Sequence, residues 1–173
     1  MADAPDHLSL ERHRDLVGRH NLVTRRICLT ILAAFLVAGL ANVFGQRPDS
    51  SSAATAAARL KVYAPAKVRS GLYYEARFTI DARRALRKAT LVLDSGWLEG
   101  MTINTIEPSP IGEASRNGSL VLELGHVPAG QTYLLFMQLQ VNPTNVGHRS
   151  QGVSLYDGGR RILSVGREIT IYP

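Results

Sequence analysis

The run Ile27–Phe44, ICLTILAAFLVAGLANVF, carries no charge, and Thr30 and Asn42 are its conspicuous polar residues. At 1.5 Å rise per residue such a helix covers roughly 27 Å, close to the hydrocarbon thickness of a bilayer. A small globular domain rarely needs a helix that is apolar on every side for so long. The run therefore predicts one transmembrane helix, assigned to residues 27–45. It divides the chain into a tail over 1–26, the span, a linker over 46–58 and a domain over 59–173.

Orientation follows from the flanks. Arg12, Arg14, Arg19, Arg25 and Arg26 precede the run, whereas only Arg47 and, further out, Arg59 and Lys61 follow it. Positive residues resist translocation, so Arg25 and Arg26 are the topology-determining pair. They predict a protein of the cytoplasmic membrane with a cytoplasmic amino terminus and an extracytoplasmic carboxyl-terminal domain. The rival is a removed export signal, because Thr24–Leu29 resembles the twin-arginine motif and Ala54-Thr55-Ala56 offers a small-residue cleavage site. The long lead before the arginine pair and the distance of that site from the run favour an anchor. Either route exports the domain.

Within the span Thr30, Ala34, Ala38 and Asn42 recur every fourth residue and share one face. Small residues let a second helix approach, and an amide hydrogen-bonds across such a contact, so this face is a candidate for helix–helix packing with another integral membrane protein. The tail is too short for a domain, though Ser9 is placed to cap a short amphipathic helix carrying Leu10, Leu16 and Val17. The segment QRPDSSSAATAAA, Gln46–Ala58, has nothing large to bury and reads as a flexible linker reaching up to roughly 40 Å.

The sole cysteine, Cys28, falls in the span, so no internal disulfide staples the exported domain and it must rest on a hydrophobic core. The net charge is +6, and its densest cluster is Arg83, Arg84, Arg87 and Lys88 in RRALRK. That cluster is a candidate contact for anionic lipid or an acidic cell-wall polymer. The plainer account is a solvated basic turn. No nucleic-acid motif accompanies it, and no nucleic-acid partner is expected.

From Arg59 onward the pattern changes to a period of two. Tyr74, Ala76, Phe78 and Ile80 point one way while Tyr73, Glu75, Arg77 and Thr79 point the other. Leu91 with Leu93, Leu120 with Leu122 and Leu124, and Tyr133 through Val141 repeat it, as do Val153 with Leu155 and Ile169 with Ile171. Turn residues separate them at Asp94–Gly96, Asn117-Gly118, Pro128–Gly130, Asn142-Pro143 and Asp157–Gly159. Seven to nine such strands predict an all-β domain, an antiparallel β-sandwich, with Trp97 at the edge or end of its core.

Leu98-Glu99-Gly100-Met101, Pro108, Asn117-Gly118-Ser119-Leu120 and Leu124–Gln131 (LGHVPAGQ) resemble the immunoglobulin-like repeat domains of bacterial surface proteins, over Lys61–Val146. The resemblance implies an immunoglobulin-like sandwich with a binding or scaffolding role, and it carries no catalytic residues. This chain departs in having one copy and an amino-terminal anchor.

No serine nucleophile elbow, zinc-binding histidine pair or phosphate-cradling glycine loop stands in the sequence, so neither catalysis nor a metal or cofactor is expected. His126 is placed in a turn, and Asp81, Asp94 and Glu99 are placed as strand-end residues. Asn117-Gly118-Ser119 fits a glycosylation acceptor but fits a type I′ turn as well. The expected function is that of an accessory or assembly subunit of a membrane or cell-envelope complex, the alternative being an exported wall- or lipid-contacting module released by signal cleavage.

Overall fold

A computed structural model describes residues 19–43 and 45–173, which form an amino-terminal helix and a separate β unit. The helix expected after Ser9 lies outside the described residues. Helix α1 spans Arg19–Leu40, so it begins within the predicted tail and ends before residue 45. Its end is a cap. Val43 N–H donates to Ala38 O and Asn42 N–H to Gly39 O, both at 3.0 Å, and Asn42 takes φ 53°. This is the paired 6→1 and 5→2 bonding of a left-handed stop, a conformation asparagine tolerates better than most residues. The expected four-residue face is corrected accordingly: Thr30, Ala34 and Ala38 lie on the helix, and Asn42 closes it.

Arg25 and Arg26 stand inside α1 and are exposed. The charge-free part of the helix, Ile27–Leu40, covers only about 21 Å. Full hydrocarbon thickness is reached only by extending the window back toward Asn21, past both arginines. The apolar window Asn21–Leu40 is long enough to cross a membrane, and none of it is buried by the chain.

The β unit contains thirteen strands among the described residues. One antiparallel sheet runs β1 (Pro48–Ala54), β2 (Ala58–Pro65), β4 (Tyr73–Ala82), β9 (Thr132–Val141) and β6 (Met101–Glu107) in that spatial order. A second antiparallel sheet runs β12 (Arg160–Val165), β11 (Val153–Asp157), β5 (Leu86–Leu93), β8 (Ser119–Val127) and β7 (Gly112–Arg116). A small third sheet sets β13 (Glu168–Tyr172) between β10 (Gly147–Ser150), antiparallel, and β3 (Lys67–Arg69), parallel. Inward residues of all three sheets form one sandwich-like core, with Leu60, Phe78, Ile80, Leu135 and Met137 from the first sheet and Leu91, Leu93, Leu122 and Leu155 from the second. The predicted register holds in β4, whose residues alternate exposed and buried while it pairs antiparallel with β9.

The segment 46–58 is not a linker. Pro48–Ala54 is β1, paired residue for residue with β2 from Pro48↔Pro65 to Ala54↔Arg59. Serine and alanine are weak strand formers, yet β1 covers the open hydrogen-bonding edge of β2, whose Leu60, Val62 and Ala64 are fully buried. The suggested cleavage site Ala54-Thr55-Ala56 is the β1–β2 turn, held by Ala57 and Ala58 N–H groups donating to Thr55 Oγ1. Cutting there would strip β1 from its sheet.

Trp97 lies in a 3-10 turn, Ser95–Trp97, and is wholly buried rather than at the core's edge. Its ring packs 5.3 Å from Phe78, and its Nε1–H donates to Gly152 O at 3.3 Å. The turn can sit this deep because a side chain at residue 96 would overlap the carbonyl of Ser150. Over the indole, at 5.5 Å, lies the buried guanidinium of Arg167. Arg167 Nη2 donates to the carbonyls of Ala64 and Pro65 at 3.0 and 3.1 Å, while Nε and Nη1 make no hydrogen bond. Burial lowers its pKa, against the opposing influence of Tyr74 and Asp49. Beside it Gln151 Nε2 donates to the buried Tyr74 hydroxyl at 3.0 Å.

Two predictions follow from this cluster. Gly96→Ala destabilises the domain by about 1–3 kcal/mol through overpacking, read by urea unfolding with Trp97, the sole tryptophan, as the fluorescent probe. Burial pushes the Tyr74 phenol up to about 12 from 10.0, with the Gln151 bond and the Arg167 charge pulling partly back. Below pH 10 the phenol is neutral in both states; from pH 10 to 12 only the unfolded chain ionises. Stability from this group is therefore fully present below pH 10 and declines by about 1.4 kcal/mol per pH unit above it. Tyr74→Phe should cost about 1–3 kcal/mol at pH 8, by stranding Gln151 Nε2, and that gap should shrink as pH rises past 10. A gap constant with pH contradicts the assignment.

Candidate functional site

The run Arg83–Lys88 divides by task once folded. Arg83 follows the end of β4, and its Nη1 donates to Thr55 O at 3.0 Å. The backbone N–H groups of Arg83 and Arg84 both donate to Ala57 O at 2.9 Å. These bonds fasten the β1–β2 turn to the β4–β5 turn. Lys88 N–H donates to Asp157 Oδ1 at 2.8 Å, and Gly158 N–H donates to Lys88 O at 2.9 Å, fastening the β11–β12 turn beside them. Three turns thus meet at one end of the β unit.

Between them opens a concavity of about 280 Å³, lined by Arg84, Arg160, Arg161, the Thr55–Ala57 turn and Ile162. No carboxylate lines it. All three arginines are exposed, and among the described residues neither ion pair involves them: those pairs are Arg77–Glu75 at 2.9 Å and Arg149–Glu99 at 3.8 Å. Of the predicted anionic-surface set, then, only Arg84 faces this concavity. Arg83 is bonded to a turn, Lys88 lines a different hollow, and Arg87 lines neither. Arg160 and Arg161 were not singled out from sequence. The available signal was two adjacent arginines directly after Asp157-Gly158-Gly159, but proximity to Arg84 arises only when β11 pairs with β5.

The outer face of the second sheet carries two larger hollows. One, about 330 Å³, is lined in part by Thr90, Val92, Val121, Tyr156 and Arg116. The other, about 460 Å³, adds Lys88, Ile111 and Glu123. On the outer face of the first sheet Arg77 lies between the rings of Tyr63 and Phe136, at 5.3 and 5.1 Å, and its neighbour Glu75 takes its charge. That residue is engaged.

The other singled-out residues are dispersed. Asp81 Oδ1 accepts from Thr132 Oγ1 at 2.8 Å, Asp94 Oδ2 from Ser150 Oγ at 3.4 Å, and Glu99 faces Arg149. Each carboxylate thus ties a different pair of strand ends. His126 lies in β8 rather than in a turn, with Nδ1 3.1 Å from Leu86 O. Asn117 and Gly118 have φ 51° and 79°, as the β7–β8 hairpin turn requires. On α1, Thr30 and Ala34 are exposed and Ala38 is half-buried, and Thr30 Oγ1 donates within the helix to Arg26 O at 2.8 Å.

No family model matches the chain, and no curated protein matches it. Among solved structures it is similar to the chitin-binding domain of a hyperthermophilic chitinase from Pyrococcus furiosus, with 13% identity and a TM-score of 0.42, covering 64% of this chain and 96% of that one. It is also similar to AvmM, described as catalysing macrocyclization in alchivemycin A biosynthesis, with 9% identity and a TM-score of 0.42, covering 75% and 90%. A von Willebrand factor type A protein from Catenulispora acidiphila matches at 14% identity and a TM-score of 0.36, covering 50% and 23%.

The division of labour among the arginines is measurable. Arg83→Ala removes a charged hydrogen bond at an exposed turn and should cost about 1 kcal/mol. Arg84→Ala should stay within about 0.5 kcal/mol, as a surface change away from any bonded feature does. Equal losses in urea unfolding would contradict the assignment.

Proposed function

We propose that this chain is a single-pass protein of the cytoplasmic membrane whose immunoglobulin-like β-sandwich lies outside the cytoplasm and serves as a non-catalytic binding or scaffold subunit of a membrane or envelope complex. One observation carries the proposal: no residue in the apolar window of α1, Asn21–Leu40, is buried by the chain. Leu29, Ile31, Leu32, Phe35, Leu36 and Val37 are all exposed. Burying what each still exposes recovers roughly 1 kcal/mol or more, so their sum exceeds the contribution of any surface ion pair of the molecule. Retention of the helix is favoured over signal cleavage because the cleavage site suggested by sequence belongs to a bonded turn between two paired strands.

The partner in this proposal is another integral membrane protein, met through the Thr30, Ala34 and Ala38 face. Lipid alone gives two apolar helices no reason to associate, so close backbone approach at small residues supplies the contact. The β-sandwich then presents its turns to the same complex.

Purification of the full chain from membranes in mild detergent should recover a second integral membrane protein in fixed ratio. Ala34→Leu/Ala38→Leu should lower that recovery at least about fivefold, because bulk on the face holds the backbones apart, while leaving urea unfolding of the β unit unchanged. Recovery of this chain alone, as a monomer, overturns the subunit proposal.

A further inference from the structure

Three arginines that no carboxylate answers are gathered from two turns distant in sequence: Arg84 before β5, and Arg160 and Arg161 at the start of β12. Neither turn is free to drift from the other. Arg83 and Arg84 are bonded through their backbones to Ala57, and Gly158 is bonded to Lys88. The cations are thus held on a braced rim around about 280 Å³, room for a phosphoryl group. Guanidinium groups match tetrahedral oxyanions through paired N–H donors. Like charges brought together without a counter-charge leave a positive potential that a mobile anion lowers.

We infer that this concavity binds a phosphate-rich polymer, the Arg84, Arg160 and Arg161 guanidinium groups taking successive phosphoryl groups along it. The polymer is favoured over a single phosphate because each exposed cation alone contributes only about 1 kcal/mol, and several charges on one strand add. It is favoured over the headgroups of a bilayer by shape, because the cations line a concavity walled by the Thr55–Ala57 turn and Ile162, which a strand can enter and a flat lipid surface cannot. The Thr55–Ala57 turn lies the length of β1, about 23 Å, from Pro48, where the chain enters the β unit. Lys67 and Arg69, on β3 directly after Pro65, lie toward the entry end, because Pro65 pairs with Pro48. They make the natural comparison pair. The inference rests on the uncleaved chain of the proposed function, because cleavage at Ala54–Ala56 would cut into the Thr55–Ala57 wall of the concavity.

The test uses the full chain in zwitterionic nanodiscs, titrated with inorganic polyphosphate over a range of salt. Binding should weaken with salt at a log–log slope of about −2, as three contacts to a single-stranded polyanion give. Arg160→Gln/Arg161→Gln should lower affinity about tenfold or more and reduce the slope to about −0.7. Arg84→Gln, on the other turn, should lower it about threefold, which keeps the test independent of the β11–β12 hairpin's folding. Lys67→Gln/Arg69→Gln, the same loss of charge elsewhere, should change affinity less than twofold. Orthophosphate at equal phosphate concentration should not compete. An equal effect of the Lys67/Arg69 pair, equal competition by orthophosphate, capture only by phosphatidylglycerol vesicles, or no polyphosphate binding would each overturn the inference.

Discussion

An apolar helix that its own chain leaves unburied contributes nothing to the core, so the β unit must close a core of its own. Helix α1 exposes large apolar side chains beside the small-residue row Thr30, Ala34 and Ala38, and it stops at a left-handed cap on Asn42. The β unit closes its core without it, burying Trp97, Phe78 and the leucines of β5, β8 and β9 among themselves. With its one cysteine at residue 28, that unit has no disulfide to fall back on, so packing must hold it. Arg167 over Trp97 is the one buried charged side chain among the described residues. Its cost is offset by two carbonyl acceptors and by the indole face, a contact worth about 2 kcal/mol when water is excluded.

Strand β1 alters the functional meaning of the tether. Read as a linker, residues 46–58 would let the domain roam; paired with β2 they belong to it. The chain from Val43 to Pro48 extends no more than about 18 Å. The same strand carries the chain along the sheet to the turn that Arg83 fastens, so the arginine concavity and the chain entry mark opposite ends of β1.

The sequence was most legible where one face of a strand is buried and the other wet. The alternation in β4, β8 and β9 gave both the strands and their inward faces, and Asn117-Gly118 marked its hairpin. Strands whose side chains bury little leave no such pattern: β1 reads PDSSSAA and β7 reads GEASR, both almost wholly exposed, and they exist because a neighbour's edge needs covering. Trp97 was expected at an edge because nothing local reveals that Gly96 lets its turn sink against Ser150. Asn42 fell in step with Thr30, Ala34 and Ala38 by spacing, but spacing does not reveal where a helix stops. The basic run at Arg83–Lys88 was visible as charge, whereas its division among bonded and unbonded members depends on strand pairing across more than one hairpin.

The proposed arrangement keeps α1 threaded in the membrane with the β unit on the far side. Ser109 is exposed between β6 and β7, and Cys28 is the only native thiol. In a Cys28→Ser/Ser109→Cys chain, a membrane-impermeant maleimide applied to cells with a permeabilised outer envelope and an intact cytoplasmic membrane should label a membrane-bound band at the full 18.9 kDa. Label confined to a shorter soluble product, or appearing only after the cytoplasmic membrane is opened, would contradict it.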